Sequence, residues 1–183
     1  MGEGLLDYCL SLWNDIPRFV SIFVILTVFI GSVFFLKWKG INQGLKYSIW
    51  LILAGYVVIV LCSTVFYRSD AQNAGLKFVP FWSYQSYFKG EDDSLLLENI
   101  MNVIVFIPIG LMLACVLTKN SFWKAALLAC VLSVSIEVMQ FFTKNGFCEI
   151  DDVIHNTLGC MVGYGMYYLV RNLLKRYDIK ISI

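Results

Sequence analysis

The chain reads as apolar runs broken by short polar connectors: Phe19 to Leu36, Tyr47 to Tyr67, Ile100 to Thr118, Ala125 to Thr143 and Val153 to Val170. Each run comes close to the roughly 20 residues a helix needs to cross about 30 Å of hydrocarbon, where every backbone amide must be satisfied within its own segment. The pattern predicts an all-α integral membrane protein of about five transmembrane helices. Leu5 to Trp13 ahead of the first run reads as a short interfacial helix.

Basic residues stay cytoplasmic, so their distribution sets the orientation. One side receives Lys37, Lys39, Lys46, Lys119, Lys124, Arg171, Lys175, Arg176 and Lys180, and the other only Arg18, Arg68, Lys77, Lys89 and Lys144. The expected topology therefore has the N-terminus outside and the C-terminus in the cytoplasm. An outer loop, 68–98, holds Phe78, Phe81, Trp82, Tyr84, Tyr87 and Phe88. Aromatic residues settle at the headgroup level, so the stretch around Pro80 is expected to lie on or dip into the outer surface, as an anchor or as a lid.

Composition agrees with lipid as the solvent. Hydrophobic residues make up 59% of the 183 and charged residues 15%, against near a quarter charged in soluble domains. No linker, low-complexity tract or repeat divides the chain, and one domain over 1–183 is expected. The net charge of +1 gives no attraction to nucleic acid. Glu3, Asp7 and Asp15 near the start argue against a cleavable signal, which opens with basic residues. The cysteines form no CxxC pair and read as small packing residues, with Cys9 and Cys148 the only two placed to meet outside.

Polar side chains at membrane depth cost about 2 to 3 kcal/mol on insertion scales, so they face partners or cavities. Here they concentrate at the expected outer ends of three spans. The third opens on Glu98, Asn99 and Asn102, the fourth closes on Glu137 and Gln140, and the fifth opens on Asp151, Asp152, His155 and Asn156. Helical spacing puts Glu137 with Gln140, Asn99 with Asn102, and Asp152 with Asn156 on shared faces. The last of these stripes continues into Gly159 and Gly163, a spacing that admits close helix approach. Asp151 and Asp152 also suit the cap of a helix N-terminus. Glu137 lies too deep in its span to reach water easily and must be paired, protonated or facing a cavity. His155, the sole histidine, reads as a hydrogen-bonded structural residue, and neither a metal nor a cofactor is expected.

Four segments resemble the VanZ family of bacterial membrane proteins: Val79 to Phe81 (VPF), Asn102 to Gly110 (NVIVFIPIG), Ile136 to Gln140 (IEVMQ), and Ile150 to Gly159 (IDDVIHNTLG) with Gly163 after it. Their order and spacing agree across about half the chain. Asn102 and Pro108 match the family's asparagine and helix-interior proline, and Glu137, Gln140, Asp152, Asn156 and Gly159 match its polar and glycine signature. The resemblance implies a role at the envelope of the bacterial plasma membrane, associated with low-level teicoplanin resistance. Gly146 stands where many relatives carry arginine, Glu149 where they carry aspartate and Lys77 where they carry asparagine, while His155 is outside the pattern. Without that arginine, Arg68 and Lys77 are the remaining sources of positive charge.

Three functions compete. The leading expectation is an outward-facing polar pocket that binds an amphiphile, such as a lipoglycopeptide or a cell-wall precursor, with Asn102, Gln140, Asn156, Arg68 and Asn99 as contacts. The second is an enzyme acting on a lipid-linked substrate, with Glu137, Asp152 and Asp151 as acid/base candidates. The third is interhelical glue, a small return at about 0.6 kcal/mol per hydrogen bond. Membrane lipids are the expected surroundings, and the oligomeric state is open.

Overall fold

The computed structural model describes residues 18–66, 75–117, 121–144 and 146–176. Arg68, Cys9 and the expected interfacial helix Leu5 to Trp13 lie outside the described residues. Helix α1 spans Arg18–Leu61 and ends in a π-helical turn, Cys62–Phe66. Strand β1 (Gly75–Lys77), the short helix α2 (Trp82–Phe88), α3 (Ser94–Val116), α4 (Phe122–Thr143), β2 (Phe147–Glu149) and α5 (Ile150–Arg176) follow.

The first two apolar runs join in one stretch of helical backbone, but α1 is not a straight rod. Residues 32 and 48 would stand about 24 Å apart on a straight helix. Instead the Ser48 hydroxyl lies 3.5 Å from the Ser32 carbonyl oxygen, while donating more strongly to Gly44 at 2.9 Å. Gly31 faces Leu51, and Gly55 faces Val28 and Val24, so the paired positions converge on residue 40 and α1 is an antiparallel helical hairpin. Glycine on both arms brings the backbones close, and the outward side of the first arm, including Phe23, Phe29 and Ile30, stays exposed as a lipid-facing surface would.

Helix α5 is the centre of the remaining bundle. Gly159 packs on the backbone of Val103 and Gly163 on that of Ile107, so α5 runs parallel to α3. Gly110 returns the arrangement from α3, facing the backbone of Cys160 and Tyr164. A Cβ at any of these glycines would strike a backbone carbonyl or amide, which cannot rotate away. We therefore expect Gly159→Leu to prevent a folded protein from being recovered in mild detergent, while Gly165→Ala, where open space surrounds the Cα, leaves recovery unchanged. Helix α4 packs antiparallel to α5 through Ala125, Ala129 and Ser133, with Ala125 beside Cys160 and Ser133 beside Asn156. The Tyr56 hydroxyl ties α1 to α3 by donating to the Val105 carbonyl at 2.9 Å.

Among the described residues, Gln43–Phe66, Ser94–Val116 and Phe122–Thr143 are long and apolar enough to cross a membrane, and Val20–Phe34 is a shorter apolar helix. Helix α5 is longer than any of these three but falls outside that set, because polar residues occupy its first turns and Arg171, Lys175 and Arg176 its last. The protein is a helical membrane protein whose fifth apolar run is the least hydrophobic.

One element has no counterpart in the hydrophobic pattern. Strands β1 and β2 form a parallel pair, with Gly75 opposite Phe147, Leu76 opposite Cys148 and Lys77 opposite Glu149. This ribbon ties the segment ahead of α2 to the start of α5. Gly75 leaves room for the Phe147 ring, and Lys77 sits between the rings of Trp82 and Phe147 while pairing with Glu149 at 3.3 Å.

Candidate functional site

The end of the α1 hairpin, the start of α3, the end of α4 and the start of α5 meet at one end of the bundle. Between them lies a cavity of about 70 Å³, lined on its polar side by Glu98, Asn102, Glu137, Gln140, Asp152 and Asn156. That is room for a few water molecules or a small chemical group, and far too little for a whole glycopeptide. Asn102, Glu137, Gln140, Asp152 and Asn156, singled out in the sequence on three separate spans, thus share one cavity.

Each wall has a local reason. Glu137 and Gln140 face inward together because three residues advance an α-helix by most of a turn. Glu137 is only 2% exposed, and its Oε2 accepts from the Glu149 backbone N–H at 2.9 Å, which fixes β2 against α4. Asn156 Nδ2 donates to the Ser133 hydroxyl at 2.8 Å. Gln140 Nε2 donates to the Thr64 carbonyl, in the π turn that ends α1, at 3.0 Å. The other amide atom of Gln140, Oε1, is buried with no hydrogen-bond partner among the described residues. A buried acceptor left unsatisfied costs about 1 to 3 kcal/mol, so its place on a cavity wall marks a point where a donor is called for.

The hairpin wall was not legible in the sequence. Val60, Ser63 and Thr64 complete the cavity, and the only signal was a Ser-Thr pair near the end of an otherwise apolar run. The Ser63 and Thr64 hydroxyls both donate to the Val60 carbonyl, at 3.0 and 2.8 Å, so neither is aimed at a base as an activated nucleophile would be.

Two candidates lie elsewhere. Asp151 is fully buried but is absent from the cavity wall: its carboxylate accepts from the Phe81 and Ser83 backbone N–H groups and from the Ser83 hydroxyl. It caps α2 from another element, and it holds Phe81 at φ 61, a left-handed conformation that is rare for a bulky residue and costs on the order of 1 to 3 kcal/mol. Asn99, expected to share a face with Asn102, instead donates to the Ser83 hydroxyl at 3.0 Å. The cavity takes the i, i+4 pair Glu98 and Asn102, which leaves Asn99 on the neighbouring face. The aromatic segment around Pro80 is thus clamped to α3 and α5 by Asp151, Ser83 and Asn99.

His155 belongs to the same clamp. Its Nδ1 donates to the Asp151 carbonyl oxygen at 2.6 Å, and its Nε2 meets the Tyr84 hydroxyl at 2.8 Å. With Nδ1 facing a pure acceptor, the neutral ring carries its proton there and Tyr84 donates to Nε2. Asp151 therefore meets His155 through its backbone and not through its carboxylate. Among the described residues no cluster of His, Cys, Asp and Glu is arranged to hold a metal ion. Lys77, a candidate source of positive charge, is engaged by Glu149 and two aromatic rings. Burial, reinforced by Glu137 and Glu149 nearby, pushes the Cys148 thiol up and disfavours its thiolate.

An aromatic groove lined by Phe81, Tyr84, Phe88, Ile100, Val103 and Leu158 occupies a different face of α3 and α5, and shares no residue with the cavity.

The family signature now has a physical content: Phe81 is the strained residue that Asp151 caps, Gly159 and Gly163 seat α3, and the polar positions line the cavity. Protein VanZ of Enterococcus faecium is 40% identical over 72 residues, covering 39% of this chain and 45% of that protein, so the chain spans about half the length of the curated relative it matches. No solved structure matches. The VanZ/LLP1 family model matches residues 47–171, from the second arm of the hairpin to the last turns of α5, and the chain belongs to the VanZ/LLP1 family.

Proposed function

We propose that this protein is a multi-pass protein of the bacterial plasma membrane that binds the polar head of an amphiphilic or lipid-linked envelope ligand in its cavity, and thereby contributes to glycopeptide and lipoglycopeptide resistance of the teicoplanin type. The observation that carries the reading is the convergence of Asn102, Glu137, Gln140, Asp152 and Asn156 from three helices on one cavity with an unsatisfied buried acceptor in its wall. The cavity's size means that only a head group enters, with the rest of the ligand outside.

Five spans, with the N-terminus outside and the C-terminus in the cytoplasm, put the cavity at the outer leaflet. The distribution of basic residues supports this orientation. A cysteine at position 91 should react with an impermeant thiol reagent in intact cells, and one at position 175 only after lysis, in a background lacking the native cysteines. The reverse pattern would move the cavity to the cytoplasmic face. The function itself is tested by expressing the chain in a teicoplanin-sensitive host: growth should extend to higher teicoplanin concentrations, and unchanged sensitivity at confirmed expression would sink the reading.

The second reading is an enzyme acting on a lipid-linked substrate, and one contrast favours it: Glu137 is almost wholly buried whereas Asp152 on the facing helix is half-buried. Carboxylates in unlike surroundings suit an acid and base pair. Binding ranks first because the cavity hydroxyls are committed to a helix carbonyl.

A further inference from the structure

The aromatic groove on the other face of α3 and α5 has a volume of about 540 Å³ and, among the described residues, no Asp, Glu, Lys or Arg in its wall. Its hydrogen-bonding groups are turned into the protein: the Tyr84 hydroxyl meets His155 Nε2, His155 Nδ1 meets the Asp151 carbonyl, and Asn99 Nδ2 donates to Ser83. None of the lining residues has a buried side-chain polar atom left without a partner. An ordered water takes about two to four polar partners, which this wall does not supply. The same contacts tie α2 to both long helices, so α2 bridges the seam between parallel α3 and α5 and closes the groove at the end where they begin. Phe81, Tyr84 and Phe88 share the face of α2 turned toward the groove, and Phe88 projects from it 81% exposed.

The other end of the groove is open and runs on into an apolar stripe. Ile100 is followed one turn later by Ile104 on α3, and Leu158 by Val162 and Met166 on α5, all of them exposed. From Ile154 to Met166 the stripe measures about 18 Å along the helix, against about 15 Å for the hydrocarbon of one leaflet. In a helical membrane protein such a stripe is covered by lipid chains. An acyl chain lies along the membrane normal, the direction of the α3 and α5 seam, and is thin enough to end beneath α2. A further helix, about 10 to 12 Å across, laid along the same seam would run into α2. We infer that the groove is a defined site for one acyl chain of a bilayer phospholipid, separate from the cavity, with which it shares no residue. Lipid tails are as apolar as leucine, so burial alone does not favour the chain there. Shape does: a preformed concave wall touches a chain on several sides, and a groove left unfilled forfeits those dispersion contacts.

The test uses the full chain in phosphatidylcholine nanodiscs carrying a trace of phosphatidylcholine with a photoactivatable diazirine midway along one acyl chain. After illumination, peptide mass spectrometry locates the labelled residues. Label on the groove residues Phe88, Ile100 and Leu158 should exceed that on Leu127 and Val131 by at least about fivefold, since the outward side of α4 meets hydrocarbon on a convex surface. Leu158→Trp fills the groove from its open side, at a position 47% exposed, and should cut labelling of Phe88 and Ile100 by about fivefold while leaving α4 unchanged. Ile100→Trp, which fills it from α3, should lower the labelling of Phe88 and Leu158 in the same way, and unchanged α4 labelling reports that each variant has folded. Equal labelling of the groove and α4 in the parent protein means ordinary solvation by lipid and overturns the inference. So does groove labelling that neither tryptophan reduces. Crosslinks between groove residues of two copies of the chain, in place of lipid label, would give this face to a second copy and overturn it as well. Glu137→Gln should leave groove labelling unchanged, and the envelope role stands whichever way the lipid result falls.

Discussion

Glu137→Gln is expected to insert and accumulate like the parent protein while losing most of the protection against teicoplanin proposed for it. Glu137 accepts from the Glu149 N–H through one oxygen, and a glutamine of the same length retains a carbonyl oxygen for that bond. What disappears is the negative charge and the titratable proton in a site where Glu137 is 2% exposed. A packing role tolerates the change, since a replaced hydrogen bond of this kind is worth about 1 kcal/mol. Recognition that depends on the carboxylate charge, or proton chemistry, does not. Growth in graded teicoplanin with quantified membrane abundance is the measurement, and full protection by Glu137→Gln at normal abundance would leave the structural reading as the better account. Asp152→Asn, on the facing wall, should show the same separation of abundance from activity.

Asp151→Ala is expected to do the reverse and destroy the fold around α2, at the end of the bundle where α5 begins. The carboxylate accepts two backbone N–H groups and a hydroxyl in a site with no exposure, and its removal strands the Phe81 and Ser83 amides. Hydrogen bonds to a charged group contribute about 1.5 to 3 kcal/mol each, so losing the set exceeds the margin by which most domains are stable locally. Phe81 would then have no reason to hold its left-handed conformation, and α2 should detach from α3 and α5. Protease cleavage between residues 75 and 93 should become rapid in the purified variant, with a lower unfolding temperature. An Asp151→Ala protein that stays protease-resistant yet loses protection would return Asp151 to the list of groups that contact ligand.

The pair Asp151 and Asp152 shows where reading along the chain stops. Adjacent acids at a helix start are both plausible caps, and both plausible site residues, by their position alone. Consecutive residues on a helix point about 100° apart, so one faces the cavity and the other faces the Phe81 loop, and only the packing of α5 against α3 decides which. Asn99 and Asn102 are separated by the same logic. A spacing of three residues rotates the helix back by about 60°, close enough to read as one face and far enough for a cavity edge to divide them.

Lipid compatibility, the apolar runs and the cluster of polar residues at matching span ends were determined by the sequence itself, because each is a local property: a backbone in hydrocarbon must be helical, and a polar side chain there must have a use. The close approach of α3 and α5 was likewise written in Gly159 and Gly163, where only a missing side chain admits a neighbouring backbone. Tertiary structure alone decided that α1 folds back on itself, that a three-residue ribbon joins 75–77 to 147–149, and that Thr64 meets Gln140 across 76 positions of chain. These contacts leave no periodic trace. Each joins positions far apart along the chain, and that pairing exists only once the elements have been brought together.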